Sequence, residues 1–161
     1  MTKSLLTILI CLGLTAFAAA QETVVFEGGK DGAASYRIPA IVKLRSGKLL
    51  AFAEARRKGA GDFGDNDIVL KTSSDNGRTW SKQTVVADNG TLQASNSAPV
   101  VDELDPRYPK GRIFLFYNTG DRSEREIREG KGTREVWYKT STDEGRTWSE
   151  AVNITSQVKR S

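Results

Sequence analysis

The sequence contains no histidine, and its one cysteine, Cys11, lies in an apolar stretch near the N-terminus. Without histidine the chain has no Ser-His-Asp triad, no Cys-His pair and no His-ligated zinc. If Cys11 leaves with a signal peptide, the mature chain also has no disulfide, thiol nucleophile or Cys-ligated metal. Carboxylate, guanidinium, ammonium, phenol and hydroxyl groups remain for a site, and no metal or cofactor is expected.

Residues 1–20 form a predicted signal peptide. Lys3 supplies its positive charge, residues 5–17 its apolar core, and residues 18–20 a small-residue cleavage site before Gln21. A membrane anchor is the alternative, but the apolar run is short for a bilayer and ends in small residues. The mature protein is therefore expected to be secreted or periplasmic, with no membrane span.

The net charge is only modestly positive, at +4 from 24 basic and 20 acidic residues. The basic residues are scattered among acidic ones, and the aromatic residues occupy positions typical of strand cores. This distribution does not indicate a nucleic-acid partner, whereas it suits a small acidic ligand.

An internal repeat organises the chain. Residues 71–81 read KTSSDNGRTWS and residues 139–149 read KTSTDEGRTWS, so only two of eleven positions differ at an offset of 68. The shared pattern S-x-D-x-G-x-T-W predicts a hairpin tip, in which Asp accepts backbone N–H bonds, Gly takes a positive φ and Trp packs into a core. These structural tips comprise Ser73, Asp75, Gly77, Thr79 and Trp80, and then Ser141, Asp143, Gly145, Thr147 and Trp148.

The repeat extends to apolar segments upstream of each tip. The matching segments are residues 67–72 with 135–140 at an offset of 68, residues 47–52 with 111–116 at 64, and, by pattern alone, residues 39–42 with 99–101 at about 60. These short runs are rich in β-branched, leucine and aromatic residues and are bounded by Gly, Asp and Pro, as strands are. No long helix is predicted.

Each repeat unit is therefore predicted to contain four antiparallel strands, over about residues 38–86 and 97–154. Such a unit is a β-propeller blade, so the fold class is all-β with about two blades. Closed propellers use about 4 to 8 blades, and a blade cannot bury its faces alone. Residues 21–161 are thus expected to be the N-terminal part of a larger propeller domain, in which Thr23–Phe26 forms one further strand.

The antiparallel topology predicts which residues share one edge of the first unit. The start of its first strand, the end of its second strand and the loop before its third strand meet there, whereas both Asp tips lie at the opposite edge. This arrangement brings together Arg37, Arg56 and Asp62. Two arginines on one rim can clamp a carboxylate, and an Asp on a Gly-rich loop beside them is a candidate general acid. A solvated charged rim is the alternative.

Several motifs together resemble the opening of a bacterial-type sialidase (exo-α-neuraminidase). They are YRIP at residues 36–39, EAR at residues 54–56, DFGDND at residues 62–67 and the two Asp tips, in an order that matches over residues 22–159. The resemblance implies a six-bladed propeller with Asp-box (BNR) repeats. It also implies a glycoside hydrolase that removes terminal sialic acid, with retention, from glycoproteins, gangliosides or oligosaccharides.

The resemblance also implies roles for single residues. Arg37 resembles the first of three arginines that grip the sialic acid carboxylate, and Arg56 resembles the arginine that supports the O4 side of the sugar. Asp62 resembles the acid/base aspartate near the glycosidic oxygen. Asp65 and Asp67 are rivals for that role, although Asp67 begins a strand and is expected to be structural.

Other residues receive weaker assignments from the same resemblance. Glu54 is expected to orient Arg56, and Asn96 and Asn118 are candidate substrate-binding residues. The nucleophilic Tyr of the family, its Glu and two further clamp arginines come from later blades and have no counterpart in this sequence. The charge-dense loop at residues 121–135 is either a solvated loop or a pocket rim.

Two alternative functions remain open at this stage. A non-catalytic Asp-box propeller could bind glycans or proteins, but it would have no need for two arginines and an aspartate on one rim. An Asp-box glycosidase acting on neutral polysaccharide would need paired carboxylates and aromatic platforms instead of an arginine clamp.

Overall fold

The computed structural model describes residues 22–159, which form eight strands and two short helices. The first four strands are β1 (Ser35–Lys43), β2 (Leu49–Arg56), β3 (Asn66–Ser73) and β4 (Thr84–Ala87). The remaining elements are β5 (Gln93–Asp102), β6 (Arg112–Gly120), α1 (Glu124–Arg128), β7 (Arg134–Ser141), β8 (Val152–Asn153) and α2 (Thr155–Val158). The predicted signal peptide lies outside the described residues. Within those residues, no helix has the length and apolar character needed to cross a membrane.

The strands form two four-stranded antiparallel meanders. One meander pairs β1, β2, β3 and β4 in that order, and the other pairs β5, β6, β7 and β8. A single parallel bridge between Asn66 and Gln93 joins the two. Each meander is a propeller blade, so the prediction of an all-β chain built from blades is confirmed.

The core lies between the two blades. Leu50, Phe52, Ile68 and Leu70 of the first blade share one buried cluster with residues of the second blade, namely Ile113, Leu115 and Tyr117. The second Asp tip also closes this interface, because the Trp148 ring meets Phe52 edge-to-face at 6.0 Å. Each blade thus buries an apolar face that it could not bury alone.

The strand register defines two opposite edges of the first blade. Ser35, Arg56 and Asn66 lie side by side at one edge, which we call the upper edge. Lys43, Leu49 and Ser73 lie side by side at the other. Both Asp tips follow a strand that runs away from the upper edge, so they lie at the lower edge as the topology predicted.

Each Asp tip is closed by the hydrogen bonds that its sequence predicts. In the first tip, the Thr79 backbone N–H and hydroxyl donate to the two oxygens of Asp75 at 2.9 and 2.6 Å. Gly77 takes a φ of 84°, and its N–H donates to the Ser73 hydroxyl oxygen. The second tip repeats this arrangement around Asp143.

Both tip carboxylates should make the fold sensitive to acid. Hydrogen bonds from Thr79 lower the pKa of Asp75 to about 2. Burial opposes the corresponding shift at Asp143, but the bonds from Thr147 outweigh it, and the pKa is again about 2. Because the folded pKa lies below the ordinary value of 3.8, the ionised form favours folding. This contribution is present above about pH 4 and is lost as the pH falls towards 2.

We expect the double variant Asp75→Asn, Asp143→Asn to be less stable than the parent at pH 7 and to show a flatter loss of stability between pH 4 and 2. Urea unfolding at a series of pH values measures both effects. Parallel curves for variant and parent over that interval would contradict the assignment of acid sensitivity to the tips.

One local prediction is wrong. The stretch Thr23–Phe26 pairs with no strand within residues 22–159 and instead contains a bend. It is held by a side chain, since the Phe26 ring lies 5.1 Å from Tyr36. The first strands of the two units match at an offset of 58, because Ala40 pairs with Phe52 and Ala98 with Phe116, which is close to the offset of about 60 that the pattern predicted.

Candidate active site

A cavity of about 630 Å³ opens between the upper edges of the two blades. The first blade contributes Arg37, Ile38, Glu54, Arg56, Asp62 and Phe63 to its lining. The second blade contributes Gln93, Ser95, Asn96, Ser123, Glu124, Arg125 and Arg134. Four of the five predicted site residues, Arg37, Arg56, Asp62 and Asn96, therefore line one cavity.

The floor of the cavity carries a buried ion pair. Arg56 and Glu54 have side chains that are 3% and 2% exposed, and the Arg56 guanidinium donates twice to Glu54 Oε2, at 3.2 and 2.8 Å. Burial alone would lower the pKa of Arg56, but hydrogen bonds and charge from Glu54 and Asp62 more than offset this, and the pKa is raised. Arg56 is thus a permanent, fixed cation, and Glu54 orients it as predicted.

Glu54 also connects the two blades. Its second oxygen, Oε1, accepts a hydrogen bond from the Asn96 backbone N–H at 2.8 Å. One buried carboxylate therefore fixes both the guanidinium of the first blade and the backbone at the start of the second.

Asp62 stands above this pair and is open to solvent. Its side chain is 85% exposed, and its Oδ1 lies 2.8 Å from Arg56 Nη1 and 3.9 Å from Arg37 Nη1. Arg56 Nη1 also donates to the Ala60 backbone oxygen at 2.6 Å, which holds the Gly-rich loop against the arginine. A carboxylate placed in this way can exchange a proton with a ligand in the cavity.

Arg37 lies at a β-bulge. The pairing of β1 with β2 shifts between Arg37 and Ala40, and Ile38 inside the bulge has a φ of 50°. A bulge bends the strand and redirects side chains. This bulge comes directly after Arg37, whose side chain lines the cavity. The second blade has a similar bulge in β5, where Asn96 has a φ of 56°.

The left-handed backbone of Ile38 should be strained, since a β-branched residue rarely adopts it. We expect Ile38→Gly to cost about 1–2 kcal/mol less stability than Ile41→Gly in the same strand, because Gly relieves the strain only at position 38. If burial alone decided the effect, Ile38→Gly would lose more stability than Ile41→Gly, since the Ile38 side chain is less exposed (41%) than that of Ile41 (60%). Denaturant unfolding of the two variants distinguishes the two explanations, and a larger loss for Ile38→Gly would argue against strain.

The two asparagines predicted to bind substrate differ in position. Asn96 lines the cavity, whereas Asn118 does not. The Asn118 side chain instead accepts a hydrogen bond at 3.1 Å from Ser95, a residue that does line the cavity. Asn118 is therefore linked to the cavity through Ser95.

The rival aspartates also lie outside the cavity. Asp67 is buried and forms an ion pair with Arg57, which supports its expected structural role. The backbone oxygen of Asp65 accepts from the Arg57 N–H, and its side chain does not line the cavity. Of the three loop aspartates, only Asp62 pairs with the cavity arginines, Arg37 and Arg56.

Sequence reasoning missed three cavity residues of the second blade, namely Gln93, Ser95 and Arg134. Gln93 and Arg134 begin β5 and β7 at the upper edge, and Ser123–Arg125 belong to the charge-dense loop at residues 121–135. This loop is a pocket rim. The repeat contained a signal for Arg134, because residue 134 matches Asn66 at the offset of 68 and must share its edge.

Comparison with known proteins identifies the family. The family model described as BNR repeat-like domain matches residues 47–160. An exo-alpha-sialidase of Aspergillus fumigatus is 33% identical over 143 residues, which cover 77% of this chain and 34% of that protein. A sialidase of Paraclostridium sordellii is 32% identical over 145 residues, covering 87% of this chain and 35% of the relative.

This chain belongs to the BNR-repeat sialidase family. Among solved structures, the Hadza microbial sialidase Hz136 matches with a TM-score of 0.67 at 29% identity over 83% of this chain and 28% of that chain. Trypanosoma rangeli sialidase in complex with sialic acid matches with a TM-score of 0.61 at 18% identity over 78% of this chain and 21% of that chain, which shows the shared fold. This sialidase-family chain spans about one third of the length of the curated relatives it matches.

Proposed function

We propose that this chain contributes part of the active site of an exo-α-sialidase that hydrolyses terminal sialic acid from glycoconjugates with retention. The observation that supports the proposal is the convergence of Arg37, Arg56 and Asp62 in one cavity. Sialylated glycoproteins, gangliosides and oligosaccharides are the proposed substrates, and the proposed location is secreted or periplasmic.

The proposed roles follow from charge and position. Arg37 is half exposed and has one weak ion pair, so its guanidinium is available for a substrate carboxylate. Arg56 is held by Glu54, Ala60 and Asp62, and its one remaining N–H, on Nη2, is proposed to bind the sugar. Asp62, exposed beside both arginines, protonates the glycosidic oxygen as the bond to the leaving group breaks.

The nucleophile of this reaction is proposed to lie elsewhere in the complete protein. A sialoside carries a carboxylate on its anomeric carbon, which would repel a carboxylate nucleophile, and sialidases use a Tyr instead. All four tyrosines of this chain are in the described residues, and none lines the cavity. Tyr117 is buried, and Tyr138 packs against Phe114 and Phe116.

Two measurements test the proposal. The complete protein should release the fluorophore from a 4-methylumbelliferyl sialoside, and NMR should detect the α-anomer of sialic acid first. Residues 21–161 alone should show no turnover. Cleavage of a neutral β-glycoside in place of the sialoside would overturn the assignment, and glycan binding without turnover by the complete protein would favour a non-catalytic propeller.

Asp62→Asn tests the acid role within the complete protein. We expect kcat/KM to fall by about 100-fold or more for sialyllactose, whose leaving group needs a proton, and far less for the activated 4-methylumbelliferyl sialoside. Asp65→Asn is the matched control, because it removes the same charge from the same loop outside the cavity. Equal losses of Asp62→Asn on both substrates would make Asp62 a positioning residue.

A further inference from the structure

Four arginines and three carboxylates line the cavity, and one of the arginines has no partner in an ion pair among the described residues. Seven charged side chains line it, namely Arg37, Arg56, Arg125, Arg134, Glu54, Asp62 and Glu124. Glu54 pairs with Arg56, Asp62 bridges Arg56 and Arg37, and Glu124 pairs with Arg134 at 2.8 Å. Arg125 is exposed and forms no ion pair with any residue between 22 and 159.

The backbone that carries Arg125 is held firmly. Helix α1 begins with a capping box, in which Ser123 Oγ accepts from the Glu126 N–H and the Ser123 N–H donates to Glu126 Oε2. Glu124, next to Arg125, binds Arg134 of β7 and also Arg128 one turn further on. The arginine is therefore presented from an ordered turn at the cavity rim.

This rim is directly linked to the Asp62 loop. Gln93, in the amide orientation that satisfies both neighbours, donates to the Asp62 backbone oxygen at 2.7 Å and accepts from Arg134 Nη2 at 2.9 Å. A chain of contacts thus runs from Asp62 through Gln93 and Arg134 to Glu124 and the α1 turn. Under the proposed function, Asp62 faces the leaving group, so Arg125 stands on the side where the rest of the glycan leaves the cavity.

We propose that Arg125 binds a second negative charge on the substrate, carried by the sugar next to the terminal sialic acid. This inference rests on the proposed function and specifies its substrate class: sialic acid attached to another acidic sugar. The carboxylate of an inner sialic acid is the ligand to which we commit. A sulfate ester on the inner sugar offers the same anionic chemistry to a guanidinium.

The charges of the cavity favour this class over neutral glycans. The terminal carboxylate would occupy Arg37, while Arg56 stays engaged by Glu54, so neither is available for a second anion. A neutral inner sugar offers Arg125 only hydroxyl acceptors, whose bonds to a guanidinium are weaker than those of a carboxylate. A second carboxylate, by contrast, replaces water with a charge-assisted bond.

The experiment compares substrates in the complete protein. Initial release of terminal sialic acid is measured from α2,8-linked disialyl-lactose, from monosialyl-lactose and from a monosialyl-lactose sulfated on the inner sugar. We expect Arg125→Gln to lower the kcat/KM ratio of disialyl to monosialyl substrate by about three- to tenfold. Arg125→Lys should retain part of the ratio, and added salt should reduce it more in the parent than in Arg125→Gln.

Arg107→Gln is the matched control. Arg107 pairs with Asp105 in the loop between β5 and β6, at the lower edge, so its removal changes the net charge equally but not the cavity. A ratio that stays the same in Arg125→Gln, or falls equally in Arg107→Gln, would overturn the proposal. Failure of the complete protein to cleave any of the three substrates would instead refute the proposed function. An equal, Arg125-dependent gain from the sulfated substrate would support binding of anions in general.

Discussion

Replacement of Glu54 by Gln is expected to lower the free energy of unfolding by about 3 kcal/mol, because it leaves the Arg56 charge buried with its main partner neutralised. The side chains of both residues are almost completely buried, and Asp62, the other partner of Arg56, is mostly exposed. The loss should therefore far exceed that of an ordinary surface pair. Chemical denaturation of variant and parent measures it.

A control and a compensating change sharpen this prediction. Glu27→Gln removes an equally short pair with Lys30 at the surface and should have no measurable effect, since both partners are more than half exposed. Adding Arg56→Met to Glu54→Gln should restore part of the stability by removing the buried charge itself. No recovery in the double variant would mean that Glu54 acts mainly through the Asn96 backbone N–H.

Replacement of Arg37 by Ala in the complete protein is expected to weaken transition-state binding by about 2–5 kcal/mol, or roughly 30-fold to several-thousand-fold in kcat/KM. The proposed cause is loss of the guanidinium that binds the substrate carboxylate. Arg37→Lys should also be impaired, because one ammonium cannot make the two parallel bonds of a guanidinium. Steady-state kinetics on a sialoside measure both variants.

Stability provides the control for Arg37. Its side chain is 53% exposed and makes a single ion pair at 3.9 Å, so neither variant should change the unfolding midpoint appreciably. Arg45→Ala, which removes an exposed arginine from the turn after β1, should leave kcat/KM unaltered. An unchanged kcat/KM in a folded Arg37→Ala variant would remove Arg37 from the carboxylate clamp.

Contacts within one blade were largely predictable from the sequence. The repeat aligned β2 with β6 at an offset of 64 and β3 with β7 at 68, and both offsets match the observed pairings. The Asp-tip hydrogen bonds and the grouping of Arg37, Arg56 and Asp62 at one edge followed from turn chemistry and antiparallel order. Each of these features depends on residues close in sequence or on adjacent strands, so a local pattern contains them.

Contacts between the blades were decided only by the tertiary structure. The bond from Asn96 to Glu54 and the bond from Gln93 to the Asp62 backbone oxygen join residues that no shared strand pairing relates. The bond from Asn96 lies in the bulge of β5, and β1 has a matching bulge at Ile38; in each, one residue in a left-handed conformation accompanies a shift of the register. A bulge leaves little trace in the alternation of apolar residues. The sequence therefore determined the blades and one wall of the cavity, whereas packing of one blade on the other formed the second wall.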